Sequence, residues 1–581
     1  MPTEKTFMLD EKKKPGKILP LGEAIAQCVK PGMKLHFNTG ADANASLREI
    51  IRQYWGKKPE FTLIASVVTA PDVINLIASG LVKRVIASNC SYTYPVPRPI
   101  PLLQEMYKKG IVQIESWSLY SLEQRLTAAA QGLGFLPTKS LIGSSLAEEN
   151  VNAFKVIPDP FDPHETIGAV RSLFPDISII HGCVADCDGN TILSPPYFSS
   201  IWGARASKGG AIVTVEKIVP TEFIRKHSSL VKLPGYLVRC VCPVFLGAHP
   251  QGLASDSIGV VEGYGEDYEF ILDFVKASQD PSRLRDWIEE WVIECPSHEH
   301  YLDKLGPKKI AFLRKESHAD TRWEMVKSST SPEFNSTEMM VVVAAREIKG
   351  IVTQRNYQTI LCGLGSPSLA ASLAYYQLRK EDIHVDLMTG PGRMGFEPQP
   401  RDPLLDGPST TMTCKILTDS VEVYGTFVGG ANSRCLSVLG SAQIDQYGNL
   451  NTTKFGGLYF IGAGGANDAV SACETLVMAK QSRERFVNKV DFIGCPGTKV
   501  KTLVTDLGVF QKRDGEETFA LTKYFTHPCT TQGEEDRLRT IQERCGWKVK
   551  VNNVISEIMP PTPEELTILR SLDPKGLFIG K

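Results

Sequence analysis

The sequence predicts an α/β protein made of two similar open α/β domains, and three observations carry that expectation. Short apolar runs alternate with amphipathic segments through the first part of the chain. The same alternation restarts after a polar stretch that ends near Asn335. One turn motif also occurs twice, once in each part. Short apolar strands that alternate with helices build parallel sheets covered by helices on both faces.

In order, the apolar runs predict strands over 34–37, 61–67, 82–87 and 111–117. Helices are expected over 45–55, where Leu47, Ile50, Ile51 and Tyr54 share a face, and over 71–79, 100–109 and 122–133. The stretch 307–335 is mixed and polar and holds Ser328-Ser329-Thr330-Ser331-Pro332, so the domain boundary is placed there. This gives domains over 18–320 and 336–581. Beyond it come a helix over 337–349, a strand over 359–362, a helix over 369–379 and a strand over 383–387. The tail from 546 has no clear periodicity until Pro560, Pro561 and Pro563 lead into a helix.

The two parts share more than alternation. Ile179-Ile180-His181-Gly182 leads to Asp186-Cys187-Asp188-Gly189-Asn190, and Val438-Leu439-Gly440-Ser441 leads to Asp445-Gln446-Tyr447-Gly448-Asn449. Both are an apolar strand followed by Asp-x-x-Gly-Asn. Asp accepts local N–H groups while Gly and Asn take φ > 0, which is hairpin-turn chemistry. The motif is structural, and its recurrence marks an internal repeat with a site expected between the halves.

Composition excludes several classes. The 64 basic and 65 acidic side chains nearly cancel, and no arm is strongly charged, against a nucleic-acid or membrane-surface protein. The 14 cysteines are scattered, many inside apolar runs, and their spacing does not fit a zinc site. Reduced thiols, a cytoplasmic location and no metal are expected. The leader carries Lys12-Lys13-Lys14 but no long apolar segment, so neither a signal peptide nor a spanning helix is expected.

The stretch LYFIGAGGANDAVSACETLVM (458–478) concentrates the site signals. It predicts a strand, a bend through Gly462, Gly464 and Gly465, and a helix over 469–478 capped by Asn467 or Asp468. Backbone N–H groups at such a bend suit a phosphate, a carboxylate or a developing oxyanion; a plain tight turn explains the glycines equally well.

With these motifs in view, the chain resembles the family I CoA-transferases. The second half is similar to the β subunit of glutaconate CoA-transferase through GSAQIDQYGNLNTT (440–453), GAGGAND (462–468), RERFVNKVDFIGCPG (483–497) and DPKGLFI (573–579). The first half is similar to the α subunit through FLPTKSLIGSSL (135–146), ADCDGN (185–190), TVEKIV (214–219), LPGYLV (233–238) and GAHPQG (247–252). The resemblance implies an α–β fusion of two CoA-transferase-like domains with an acyl-CoA bound between them. It also implies a homo-oligomer and no cofactor besides the coenzyme A thioester as substrate.

In the family a glutamate, followed by a small residue and glycine, attacks the thioester. By resemblance that position is Met388, ahead of Thr389-Gly390, and a thioether forms no acyl anhydride. Asp386 shares its strand face roughly 6–7 Å away, and Glu397 is the other carboxylate to weigh. The resemblance implies that family branches without the glutamate act as CoA-thioester hydrolases that open β-oxo rings by C–C cleavage, or as decarboxylases of glutaconyl-type thioesters. The glutamate that ring-opening relatives use aligns with Leu119, flanked by Glu115 and Glu123.

The expected function is therefore hydrolysis or C–C cleavage of a CoA thioester. Glu123, His181 and Asp386 are the catalytic candidates, with Gly462, Gly464, Gly465 and Asn467 at the oxyanion or CoA. Each has a plainer reading: Glu123 as a helix charge, His181 and His249 as loop-fixing histidines, Asn467 as a cap. A genuine transferase using another carboxylate and a non-catalytic acyl-CoA-binding protein are the alternatives. A dinucleotide-binding oxidoreductase is disfavoured, because G-A-G-G-A-N lacks the third-glycine spacing.

Overall fold

The structure, a computed structural model of the chain, describes residues 16–40, 42–255, 258–317, 326, 328–400, 407–525 and 533–580. The first half holds strands β1 (Lys34–Phe37), β2 (Phe61–Val68), β3 (Val82–Cys90), β4 (Gln113–Ser116), β5 (Ile177–Ala185), β6 (Thr191–Leu193), β7 (Ala211–Ile218) and β8 (Val238–Pro243). Their parallel core runs β8-β7-β5-β1-β2-β3-β4, with β6 folded back antiparallel to β5. All nine residues of β5 are buried, as a central strand covered on both faces requires.

The second half holds β9 (Thr359–Cys362), β10 (Asp386–Thr389), β11 (Cys435–Gly440), β12 (Glu474–Met478) and β13 (Val500–Val504), parallel in the order β10-β9-β11-β12-β13. Three further strands, Gly508–Gln511, Ala520–Phe525 and Lys550–Ile558, extend its edge. The order β2-β1-β5-β7-β8 in the first half is thus repeated as β10-β9-β11-β12-β13. The fold is the expected pair of related α/β units, and the largest apolar cluster draws on both.

The repeated turn is alike in its bonding. Asp186 Oδ1 accepts the N–H groups of Asp188 (3.2 Å) and Asn190 (2.8 Å), and Gly189 has φ 93°. Asp445 Oδ1 accepts those of Tyr447 (3.0 Å) and Asn449 (3.0 Å), and Gly448 has φ 85°. Each turn is also seated on a Pro-Gly pair that the sequence motif did not include. The Asn190 amide oxygen accepts from Gly235 N–H at 2.8 Å, and that of Asn449 from Gly497 N–H at 2.9 Å. A Cβ at Gly235 would lie 2.4 Å from the Asp188 carbonyl, and one at Gly497 2.4 Å from the Tyr447 carbonyl.

Several expected elements shift. The helix expected over 469–478 is absent: a helix of four residues, Ala466–Ala469, is followed by β12. Short apolar runs do not distinguish helix from strand, and here the sheet between β11 and β13 needs a strand. The strand at 383–387 begins only at Asp386, and the polar stretch after 307 opens with helix Pro307–Glu316. Leu458–Tyr459 pairs with Lys454–Phe455 in a small hairpin outside the main sheets. Helix Ser336–Arg355 is longer than expected and starts with a capping box between Asn335 and Glu338. Its residues from Thr337 to Ala345 are all buried, as in a helix packed on every side.

All thirteen described cysteines are free, no group of potential metal ligands occurs among the described residues, and no described helix is long and apolar enough to cross a membrane.

Candidate active site

Open α/β sheets bind ligands beyond the carboxyl ends of their strands, where the strand order reverses. In this structure those ends of both sheets border one shared cavity of about 470 Å³. The first half lines it with Thr39, Gly40 and Asp42 after β1, Val67 and Thr69 at the end of β2, and Pro195, Pro196 and Phe198 after β6. The second half supplies the matching segments: Gly363 and Leu364 after β9, Thr389 and Gly390 at the end of β10, and the glycine loop 462–465. Leu119, Tyr424, Arg393 and Arg485 complete the part of the wall used below.

The glycine loop is a wall of the cavity and also a seam. Gly464 donates its N–H to the Ser88 carbonyl (2.9 Å) and accepts from the Leu119 N–H (2.9 Å). Gly462 donates to the Thr452 carbonyl at 3.2 Å, and the Ile461 carbonyl accepts from Cys90 at 2.7 Å. Of the expected oxyanion donors, Gly464 and Gly462 are therefore committed to protein partners. The N–H of Gly465 makes no bond among the described residues. Gly462 and Gly464 have φ 102° and 55°, so these two bends require glycine.

Asn467 and Asp468 do not cap a helix but lie within the four-residue helix Ala466–Ala469, whose N-cap is Gly465 with no side-chain bond. Both reach across to the first half instead. Asn467 accepts from the Leu141 N–H (3.0 Å) and donates to the Gly494 carbonyl (2.7 Å). Asp468 accepts from the Ser118 hydroxyl (2.8 Å), the Ser140 hydroxyl (2.5 Å) and the Tyr120 N–H (2.9 Å). Complete burial pushes the Asp468 carboxyl from 3.8 up to about 6. Asn467 is a clasp between the halves and lies outside the cavity lining.

The three carboxylate and histidine candidates also stand back from the cavity. Glu123 is fully buried in helix Leu119–Ala130, one turn behind Leu119. Its Oε1 accepts from the Ser66 hydroxyl at 3.3 Å, its Oε2 has no partner among the described residues, and burial, then Asp419, raises its pKa well above the usual carboxylate range. His181 is held between Thr214 Oγ1 (2.9 Å) and Glu216 Oε1 (2.9 Å). Asp386 starts its strand and is paired with Lys415 at 2.6 Å, at the end of β10 opposite the cavity. Glu397 pairs with Arg379 at 2.8 Å. Glu115 pairs with Arg125, and His249 is buried between Tyr301 and Asp267. Met388 is fully buried, in one apolar cluster with Leu119, Leu361 and Tyr424.

Two groups on the cavity wall were not anticipated. Asp42 is 3% exposed, and its Oδ1 has no hydrogen-bond partner among the described residues. Burial raises its pKa well above the usual value, and Asp72 adds to the rise. Its signal in the sequence is position: a polar Asn38-Thr39-Gly40 run ending the first strand, where this fold places ligands. Tyr424 lies in the π-helical turn Val423–Val428, and nothing in the local sequence marks it.

Comparison with known proteins agrees with this architecture. A family model described as coenzyme A transferase matches residues 19–242 and 337–527, well over half of the chain. The glutaconate CoA-transferase of Acidaminococcus fermentans is matched through two separate subunits. One is 30% identical over 51% of this chain and 94% of its own length. The other is 26% identical over 42% of this chain and 95% of its own length. The cholesterol ring-cleaving hydrolase IpdA subunit of Mycobacterium tuberculosis is 26% identical over 45% of this chain and 89% of its own length. Among solved structures, the acyl-CoA transferase YdiF of E. coli O157:H7 shares the fold over 97% of both chains, with a TM-score of 0.65 and 16% identity. The chain belongs to the coenzyme A transferase family.

Proposed function

We propose that the protein acts on an acyl-CoA thioester without a glutamyl-CoA intermediate, by hydrolysis or by carbon–carbon cleavage of a β-oxo acyl group. Met388 carries the reading. By likeness to the family it occupies the place of the nucleophilic glutamate, it is sealed in an apolar cluster, and Asp386 and Glu397 are held by Lys415 and Arg379 instead. The second family carboxylate position, Leu119, is apolar as well and borders the cavity. The likeness to a protein named as a ring-cleaving hydrolase supports the same branch.

In hydrolysis, water adds to the thioester carbon, the C–S bond breaks, and a proton reaches the sulfur, giving acid and CoA thiol. In the cleavage variant, water adds to the β-carbonyl and the Cα–carbonyl bond breaks. The electron pair stays on the α-carbon as an enolate and is quenched by a proton. Asp42 is the carboxyl at the wall placed to move that proton, and burial raises its pKa, which favours the protonated form that would donate. Glu123 and His181 act, in this reading, by holding the walls.

The test is a panel of acyl-CoAs read by mass spectrometry, with borohydride added during turnover. Free or shortened acid, with no reduced side chain, is expected. An alcohol at Asp386 or Glu397, together with CoA exchange into acetate, overturns the proposal and makes the protein a transferase.

A further inference from the structure

We infer that the hydroxyl of Tyr424 is the side-chain donor to the thioester carbonyl oxygen. This rests on the proposed acyl-CoA chemistry and names a residue for it. The hydroxyl is wedged between two glycines of different loops. A Cβ at Gly465 would stand 1.8 Å from it, and one at Gly390 2.2 Å. Gly390 follows the position of the family nucleophile, and Gly465 is the member of the glycine loop whose N–H has no partner among the described residues. The hydroxyl therefore lies where those two loops meet at the cavity.

Three features fit it for donation. Tyr424 is 6% exposed and borders the cavity, yet its hydroxyl makes no hydrogen bond among the described residues. A hydroxyl that borders a cavity and has no partner among the described residues is available to a group that enters the cavity. Tyr424 shares an apolar cluster with Leu119 and Met388, and low polarity around a donor strengthens any bond it makes to a developing negative charge. Burial, then the nearby Asp468 and Glu123, holds the phenol well above its ordinary value, so it keeps the proton it would share.

The ring is also fixed in place. It sits in a π-helical turn, a rare conformation that recurs at functional sites, and Gly425 of that turn packs against the Tyr120 hydroxyl. Donation stabilises the oxyanion as the carbonyl π pair moves to oxygen; no bond to tyrosine forms and none of its own breaks.

The experiment uses the full chain and Tyr424→Phe, which keeps the ring. Butyryl-CoA labelled with ¹³C at its carbonyl is bound to each, and the thioester band is read by difference infrared spectroscopy. Kinetics are measured on whichever panel member the wild type consumes. A band displaced to lower frequency in the wild type and restored in Tyr424→Phe is expected. It should accompany a fall in kcat of roughly 10²–10³ with little change in KM or melting temperature. An unchanged band with full turnover in Tyr424→Phe overturns the assignment and leaves the acyl-CoA reading standing. A fall in kcat tied to a lost fold also overturns it, since the hydroxyl would then be structural. A wild type that neither binds nor consumes any acyl-CoA instead defeats the functional reading itself.

Discussion

After β6 the first half runs Ser194-Pro195-Pro196-Tyr197-Phe198 into helix Ser200–Ala206, which leads to β7. In the second half, after the equivalent hairpin, the chain runs Ile461-Gly462-Ala463-Gly464-Gly465 into helix Ala466–Ala469, which leads to β12. The two loops hold the same place in the same strand order, and both line the cavity. One presents rings and the other bare backbone. Meanwhile the Asp-x-x-Gly-Asn turns beside them bond alike, down to the Pro-Gly pair beneath each. What both halves keep is what seats a hairpin on a sheet. What these two loops do not share faces the cavity, where one contributes rings and the other backbone.

The largest test of that division is Gly465→Val. Its Cβ would displace the Tyr424 hydroxyl and put a side chain on the bare-backbone loop. Turnover of a consumed acyl-CoA should fall by at least about 10²-fold while the circular dichroism spectrum is kept. Full activity would make the two loops equivalent spacers and remove the contrast.

The next concerns the seam between the halves. Asp468 titrates at about 6 in the folded protein against an ordinary 3.8, because burial favours the neutral acid. The folded protein then keeps this proton where the unfolded chain has lost it. The contribution is most favourable below the unfolded pKa and declines as pH rises through the folded one, by at most about 3 kcal/mol. Denaturant midpoints measured from about pH 4 to about pH 7 should therefore fall more steeply for the wild type than for Asp468→Asn. Parallel slopes would show that this carboxyl is not the pH-sensitive part of the seam.

The shared turns give a smaller and symmetrical effect. Gly235→Ala and Gly497→Ala each force a Cβ against a turn carbonyl 2.4 Å away. Overpacking of this kind costs about 2 kcal/mol, and chemical denaturation should give similar losses at the two sites. A large loss at one and none at the other would mean that the repeat has drifted in energy while keeping its geometry.

The parts legible in the sequence were those set by local chemistry. Strand β1 over Lys34–Phe37 and the start of helix Pro71–Ala78 followed from apolar periodicity and a proline at the helix start. Both turns followed from Asp, Gly and Asn. What could not be read was set by contacts between distant segments. Asn467 has the composition of a cap, but Leu141 and Gly494 claim its amide, and these come from both sides of the seam. Gly464 looks like a free donor until Ser88 is placed against it. His181 ends an apolar run as a ligand residue would, yet Glu216, two strands away in sequence, takes its ring nitrogen. Tyr424 has no local signal at all, because its position depends on two glycines that stand 34 residues before and 41 residues after it in the chain.

The smallest expected effect separates the buried seam from its rim. Lys454 of the second half binds both carboxylate oxygens of Glu149 in the first, at 2.6 and 2.8 Å. Lys454 is 16% exposed and Glu149 40%, so water competes for the glutamate while the lysine stem is largely covered. An ion pair open to solvent on one side gains little, because the charge attraction is screened and two long side chains must be ordered. Lys454→Met keeps the stem and removes the charge, and it should cost about 0.5 kcal/mol, less still in high salt. Asp468 is 2% exposed and makes its bonds to Ser118, Ser140 and Tyr120 inside the seam, so its effect should persist in salt. Denaturation in low and high salt compares the two directly. A cost for Lys454→Met equal to that of disturbing Asp468 would place the hold between the halves at the rim.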